Sequence, residues 1–200
     1  MTHIERNNFV KECIKKISST FIKNSDIYFC ESDLQSELFA LLLKKFNKET
    51  ELRNTHMWGT DRPKKLKKVS TRRLHSELLL PEGRIDLAII DIENTVFAVN
   101  SKGQNPGFRI QEGNHIFIEI KSSRTSRSSI SSKSEWNKLI LSDIEKLNKY
   151  SNPCHMLCFD YSQILDDEEV SSIRNQTNKN VELHYIKKIG SNSYIETKGT

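Results

Sequence analysis

Two short apolar runs in this chain carry charge in their interiors, and that narrows the folds open to it. The first is Arg84-Ile85-Asp86-Leu87-Ala88-Ile89-Ile90 and the second is Ile116-Phe117-Ile118-Glu119-Ile120-Lys121. Both are short, rich in β-branched residues and bounded by turn formers, so both read as strands buried in a sheet. A carboxylate buried without a partner costs several kcal/mol, so Asp86 and Glu119 require one. Brought together they repel, and each resists ionising unless a cation sits between them. A bound divalent metal is the simplest way to keep both charged.

The second run is the more telling. Side chains alternate with a period of two, so Phe117, Glu119 and Lys121 share one face. Ile116, Ile118 and Ile120 share the other and can pack under a helix. Between the two polar side chains the Ile120 carbonyl offers a third oxygen. Two carboxylates and a carbonyl suit Mg²⁺, a hard cation that keeps several waters. Lys121 would stand beside it, placed to hold a water or a phosphate oxygen.

This arrangement resembles the PD-(D/E)xK nuclease superfamily, the restriction-endonuclease-like fold, on Asp86, Glu119 and Lys121. The resemblance covers roughly residues 31–150. The chain departs from the pattern at Ile85, where many members have Pro. The resemblance implies an α/β fold with a central mixed sheet flanked by helices, and a Mg²⁺-dependent endonuclease with Mn²⁺ as a substitute. It assigns Asp86, Glu119 and the Ile120 carbonyl to the metal, and a catalytic role to Lys121. In the family the first helix often supplies a further acidic residue, and Glu37 is the match.

Three residues alone are a weak signal. If each charged type makes up about 6% of a chain, Glu-x-Lys recurs about once per few hundred positions by chance. Glu196-Thr197-Lys198 is such a recurrence, in a polar tail without apolar flanks. The strand context of Glu119-Ile120-Lys121, and the upstream strand with Asp86, set it apart.

The flanking segments read as helices. Ser32-Asp33-Leu34-Gln35 has the form of a capping box ahead of Leu34, Leu38, Leu41, Leu42 and Phe46 at helical spacing. Glu37 lies on or beside that stripe. It either reaches the metal site or packs its stem and sends its head to water. From Glu135 to Tyr150, Trp136, Leu139, Ile140, Ile144, Leu147 and Tyr150 make an amphipathic helix. Asp143 and Lys146 lie near its stripe, where they either orient active-site groups or, on the favoured reading, form an exposed surface pair. His75 to Leu80 reads as a strand that turns at Pro81-Glu82-Gly83 into the Asp86 strand, with Glu77 either adding a carboxylate to the metal site or, on the favoured reading, exposed at the sheet edge. A helix is expected over residues 1–24. Further strands are expected at Thr95–Val99, within the long connection from Asp91 to Asn114, at His155–Tyr161 and at Val181–Ile189. A short helix is expected at Asp166–Ile173.

The whole chain sets outer limits. Its 200 residues fit one domain, with the core over about 31–190. A mean hydropathy of −0.60 is polar but still globular. No run approaches the roughly 18 apolar residues of a membrane span, and the N-terminus has no apolar signal-peptide core. The four cysteines, Cys13, Cys30, Cys154 and Cys158, and the six scattered histidines show no zinc-finger spacing. A reducing cytoplasm is the expected compartment.

The net charge of +5 matters through its distribution. Lys64, Lys65, Lys67, Lys68, Arg72 and Arg73 form one block before the Glu77 strand, after Met57 and Trp58. Arg124 and Arg127 lie in a Ser-rich stretch just after Lys121. Cationic segments beside a carboxylate–metal centre suit a polyanion such as DNA, and Ser and Arg contact phosphate without reading bases. Solvated loops would look the same. Cutting both strands of a duplex takes a homodimer or two events, and no residue decides between them. Two other readings stay open. One is a nuclease-like fold that binds nucleic acid or a protein without cutting. The other is an interaction subunit whose charged strands pair across a dimer.

Overall fold

In the computed structural model, residues 1–51, 54–57, 70–99, 107–110, 113–124, 130, 132–189 and 192–196 are described. Lys64, Lys65, Lys67, Lys68, Arg127 and Trp58 lie outside them. In chain order come α1 (His3–Asn24), α2 (Glu31–Phe46), β1 (Thr50–Glu51), β2 (Asn54–Met57), β3 (Ser70–Thr71), β4 (Leu74–Leu80) and β5 (Gly83–Ile89). There follow β6 (Thr95–Val99), β7 (Gly107–Ile110), β8 (Ile116–Ser122), α3 (Lys133–Leu147), β9 (Cys154–Asp160), α4 (Asp167–Arg174), β10 (Val181–Ile189) and β11 (Asn192–Glu196).

The fold is α/β. A six-stranded mixed sheet runs in the order β11-β10-β9-β8-β5-β4. Strands β8, β9 and β10 are parallel, and the other pairings are antiparallel. Parallel neighbours need crossovers, and α3 and α4 supply them. Alternation along the strands divides the core. Ile116, Ile118, Ile120, Leu157 and Phe159 pack with α1 and α2 on one face. Phe117, Met156 and Cys158 pack with Trp136, Ile140 and Ile144 of α3 and Val170 and Ile173 of α4 on the other. The two faces of β8 are therefore assigned as its alternation requires.

Two features were not foreseen. Strands β6 and β7 form a separate small sheet with β2, in the order β2-β6-β7. Strand β11 pairs with β10, so Glu196 closes an edge strand instead of lying in an irregular tail. No described helix is long and apolar enough to cross a membrane. All four cysteines are free, and Cys13, Cys154 and Cys158 are buried.

Helix α2 starts earlier than its sequence suggests. Its N-cap is Cys30, and Asp33 is the residue that reaches back, accepting hydrogen bonds from Phe29 N (2.7 Å) and Cys30 N (3.2 Å). Glu31 thereby becomes the first helical residue, and Gln35 is released from any capping role. The β4–β5 hairpin closes on Gly83, whose φ of +126° favours glycine. A Cβ there would also meet Lys146 Cδ at 3.4 Å.

Candidate active site

Strands β5 and β8 are neighbours, and their ladder stops at Leu87–Ile118. One step further along the same register, Asp86 would stand opposite Glu119. On the other edge of β5 the ladder also skips Asp86: Ser76 pairs with Leu87 and Leu78 with Ile85, with no pairing between Glu77 and Asp86. Glu77 there has φ +54°, a left-handed conformation that costs a non-glycine residue on the order of 1 kcal/mol or more. Regular pairing thus lapses on both sides of one aspartate.

Side chains fill the gaps. Gln35 Nε2 donates to the Asp86 carbonyl (3.0 Å) and to Glu77 Oε1 (2.9 Å). Ile120 N donates to Asp86 Oδ2 at 2.7 Å. The Phe117 and Ser123 amides both point toward β9, bonding Pro153 O and Phe159 O. Backbone groups alternate sides, so the amide and carbonyl of Ile120 point to the β5 side. That is the side where the ladder has ended, so the Ile120 carbonyl faces the same gap as the Asp86 carboxylate.

Helix α3 supplies the cations' partners from above. Lys146 Nζ lies 2.7 Å from Glu119 Oε1 and 3.3 Å from Asp143 Oδ1, and donates to the Arg84 carbonyl at 2.8 Å. Lys121 Nζ lies 3.0 Å from Asp143 Oδ2 and 3.7 Å from Glu31 Oε1. The expectation of an exposed Asp143–Lys146 pair is corrected: both are largely buried, and they hold Glu119 and Lys121 in place.

Glu37 is also corrected. It accepts a 2.5 Å hydrogen bond from the Tyr28 hydroxyl, and among the described residues no hydrogen bond or ion pair ties it to this cluster. The acidic residue that α2 brings to the cluster is Glu31, whose second oxygen accepts from Ser122 N at 3.2 Å. Glu77 is exposed, as expected, and is paired with Arg84 at 3.0 Å.

The electrostatics follow from crowding and burial. Glu119 is 1% exposed. Burial, and then the charge of Asp86, push its pKa up to about 8 against the opposing pull of Lys146. Burial also raises Asp86, against the Ile120 N–H and Lys121, and raises Glu31, against Lys121. Burial works against the Lys121 ammonium, but Glu31, Asp143 and Asp86 outweigh it and its pKa is raised. Glu31, Asp86, Glu119 and Asp143 give four carboxylates against the two ammoniums of Lys121 and Lys146. With all four ionised, the excess of two negative charges, offered by hard oxygen donors, fits a divalent cation such as Mg²⁺, which would displace the proton of Glu119.

Among the expected nucleic-acid contacts, Arg73 is engaged with Glu93 at 3.1 Å and Asp91 at 3.9 Å. Arg72 is exposed at the start of the β4 hairpin. Arg124 donates to the Tyr28 carbonyl at 3.4 Å and lies over the rings of Phe29 (5.9 Å) and Tyr161 (5.5 Å). Phe29 is itself 66% exposed. Comparison with protein-family models, curated proteins and solved structures yields no match.

Proposed function

We propose that this chain is a Mg²⁺-dependent nuclease acting on DNA, with a restriction-endonuclease-like core. The observation that carries the reading is the double lapse of strand pairing at Asp86, which turns one carboxylate and one carbonyl toward a shared gap beside Glu119. In this reading Asp86, Glu119 and the Ile120 carbonyl hold the metal. Bound Mg²⁺ would supply Lewis acidity toward the scissile phosphate and an attacking water. Lys121, kept charged by its acidic neighbours, would position that water and offset charge developing on the phosphoryl oxygens. Asp143 and Glu31 would fix the Lys121 ammonium, and Lys146 would hold Glu119. Arg124 beside the exposed Phe29 would meet the backbone next to the site.

The test is incubation of the purified chain with plasmid, linear and single-stranded DNA, with and without Mg²⁺. Cleavage that requires Mg²⁺ and is lost in Asp86→Asn supports the reading, since Asn can still accept from Ile120 N. Metal-independent cleavage, or equal cleavage by the variant, defeats it. Salt-dependent DNA binding without product under any divalent metal would favour a non-catalytic binding module instead.

The two acidic residues of α2 should separate under the same assay. Glu31→Gln removes a charge that anchors Lys121 and is expected to lower the initial rate by about tenfold or more. Glu37→Gln should leave the rate within about twofold. Equal losses in the two variants would show that α2 contributes only to the fold.

A further inference from the structure

A second set of metal-type ligands lies on β9 and β10, on the opposite face of the sheet from Glu119. Parallel pairing sets His155 opposite Glu182 and Leu157 opposite His184. Alternation turns His155, Glu182 and His184 onto the face covered by α1. The six histidines look scattered along the chain, but the sheet brings these two side by side. His155 is 1% and His184 3% exposed.

We propose that His155, Glu182 and His184 form a Zn²⁺ site with three protein ligands and a fourth position open to water. The ligand atoms lie within 4.8 Å of one another. His155 Nδ1 and His184 Nε2 are hydrogen-bonded at 3.1 Å; Glu182 Oε2 lies 3.9 Å from the first and Glu182 Oε1 lies 3.7 Å from the second. Two ligands each about 2.0–2.1 Å from a tetrahedral zinc stand about 3.3–3.4 Å apart. The nitrogen pair stands slightly closer than that and the two carboxylate contacts, each made by a different oxygen, slightly wider, so a turn of the Glu182 carboxylate that aims one oxygen at both nitrogens brings the three groups to bonding distance.

The surroundings complete the argument. Asn7 Oδ1 of α1 accepts from His155 Nε2 at 2.9 Å. That bond places the ring proton on Nε2 and leaves the Nδ1 lone pair facing His184, where it accepts from His184 Nε2 at 3.1 Å, a hydrogen bond that a metal would replace as His184 gives up that proton. Two imidazoles and one carboxylate suit zinc and not Mg²⁺, which prefers an all-oxygen set. A cleft of about 570 Å³, lined in part by Asn7, Lys11, His155 and Glu182, gives an entry path. Lys11 Nζ lies 2.6 Å from Glu182 Oε2 on a partly exposed side chain. It competes for the carboxylate, and its flexible stem lets it withdraw when a dication binds. The bound metal would tie β9 to β10 and, through Asn7, to α1.

The test is titration of the metal-stripped full chain with Zn²⁺ by calorimetry, in an Asp86→Asn, Glu119→Gln background so that the carboxylate cluster does not contribute. One Zn²⁺ per chain at micromolar Kd or tighter is expected, and a Co²⁺ complex with the intense visible bands of tetrahedral geometry. Zn²⁺ at about a hundred times its Kd should raise the thermal midpoint by roughly 5–10 °C. Glu182→Gln and His184→Asn should weaken binding at least a hundredfold with unchanged far-ultraviolet circular dichroism. Lys11→Met, a change near the surface, should fold normally and bind Zn²⁺ more tightly. Binding only at millimolar Zn²⁺, or binding that is unaffected by Glu182→Gln and not tightened by Lys11→Met, would overturn the proposal.

Discussion

Lys121→Met is expected to lower Mg²⁺-dependent DNA cleavage by about a thousandfold while leaving Mg²⁺ binding intact or tighter. The first half rests on the proposed role of the ammonium. A fixed donor aimed at developing charge is worth about 10²–10³ in rate. The second half rests on the charge count. Lys121 is one of two ammoniums set against Glu31, Asp86, Glu119 and Asp143, and it lies 3.0 Å from Asp143. Removing it deepens the negative potential a dication meets, so affinity should not fall. The cost appears in the metal-free fold, because Glu31 loses its ion-pair partner and Asp143 the closer of its two, keeping Lys146 at 3.3 Å. Breaking a largely buried pair costs about 3–5 kcal/mol, less where water reaches it. Saturating Mg²⁺ should restore part of that stability. Calorimetric titration and initial cleavage rates on one preparation separate the two halves. A variant that binds Mg²⁺ and still cuts at the native rate would exclude Lys121 from the chemistry. A variant that loses Mg²⁺ binding would show that the lysine orders the ligands instead. The raised pKa adds a check: Lys121 stays charged across neutral and mildly alkaline pH. The native rate should therefore show no lysine ionisation there, which argues against a free-amine base.

Much of this site was legible because strands obey a short period. The alternation of Ile116 to Lys121 placed Glu119 and Lys121 together, and the run around Asp86 marked the neighbouring strand. The β4–β5 turn followed from Pro81 and Gly83, and α1, β6 and β10 from their apolar patterns. What failed was phase on a helix. Glu31 lies seven residues before Leu38 and three before Leu34, so on an α-helix it sits over the apolar stripe. Reading the cap at Ser32 left Glu31 outside the helix and drew attention to Glu37, about 100° from the stripe's centre. The signal was present, since Asp33 could equally cap from the third position of a helix begun at Glu31. Asp143 and Lys146 were undervalued for a different reason. They look like a surface pair on their own helix, and only the packing of α3 across β8 turns that flank inward. The pairing of His155 with His184 and Glu182 depends on the register of two parallel strands. Connections through α4 do not reveal that register in sequence.

Glu119→Gln should make the metal-free protein more stable at alkaline pH, although it removes a residue proposed to be essential. Glu119 titrates near 4.5 as an ordinary carboxyl, but burial and Asp86 raise it to about 8 in the fold. Between those values the unfolded chain has lost the proton while the folded chain retains it. Stability on this account is therefore fullest below about pH 4.5. It falls by up to about 1.4 kcal/mol per pH unit as pH rises, and levels off above about 8. Glutamine is the neutral isostere, can still accept from Lys146, and does not titrate. The two proteins should match near pH 5. At pH 8.5 in EDTA the variant should be ahead by a few kcal/mol, on the order of 5–15 °C in midpoint. Asp86 and Glu31 are shifted the same way and act in both proteins, so the difference between the melting curves reports Glu119 together with its coupling to Asp86. Mg²⁺ should close the gap by stabilising only the native chain. Because Glu119 is mostly protonated at pH 7, Mg²⁺ binding there should release nearly one proton, and affinity should rise toward pH 8. Calorimetry in two buffers of different ionisation enthalpy measures that proton directly. A variant less stable than the native chain at pH 8.5 would mean that the Lys146 ion pair outweighs the cost of burying Glu119. The carboxylate would then be a structural strut and not a ligand awaiting a cation.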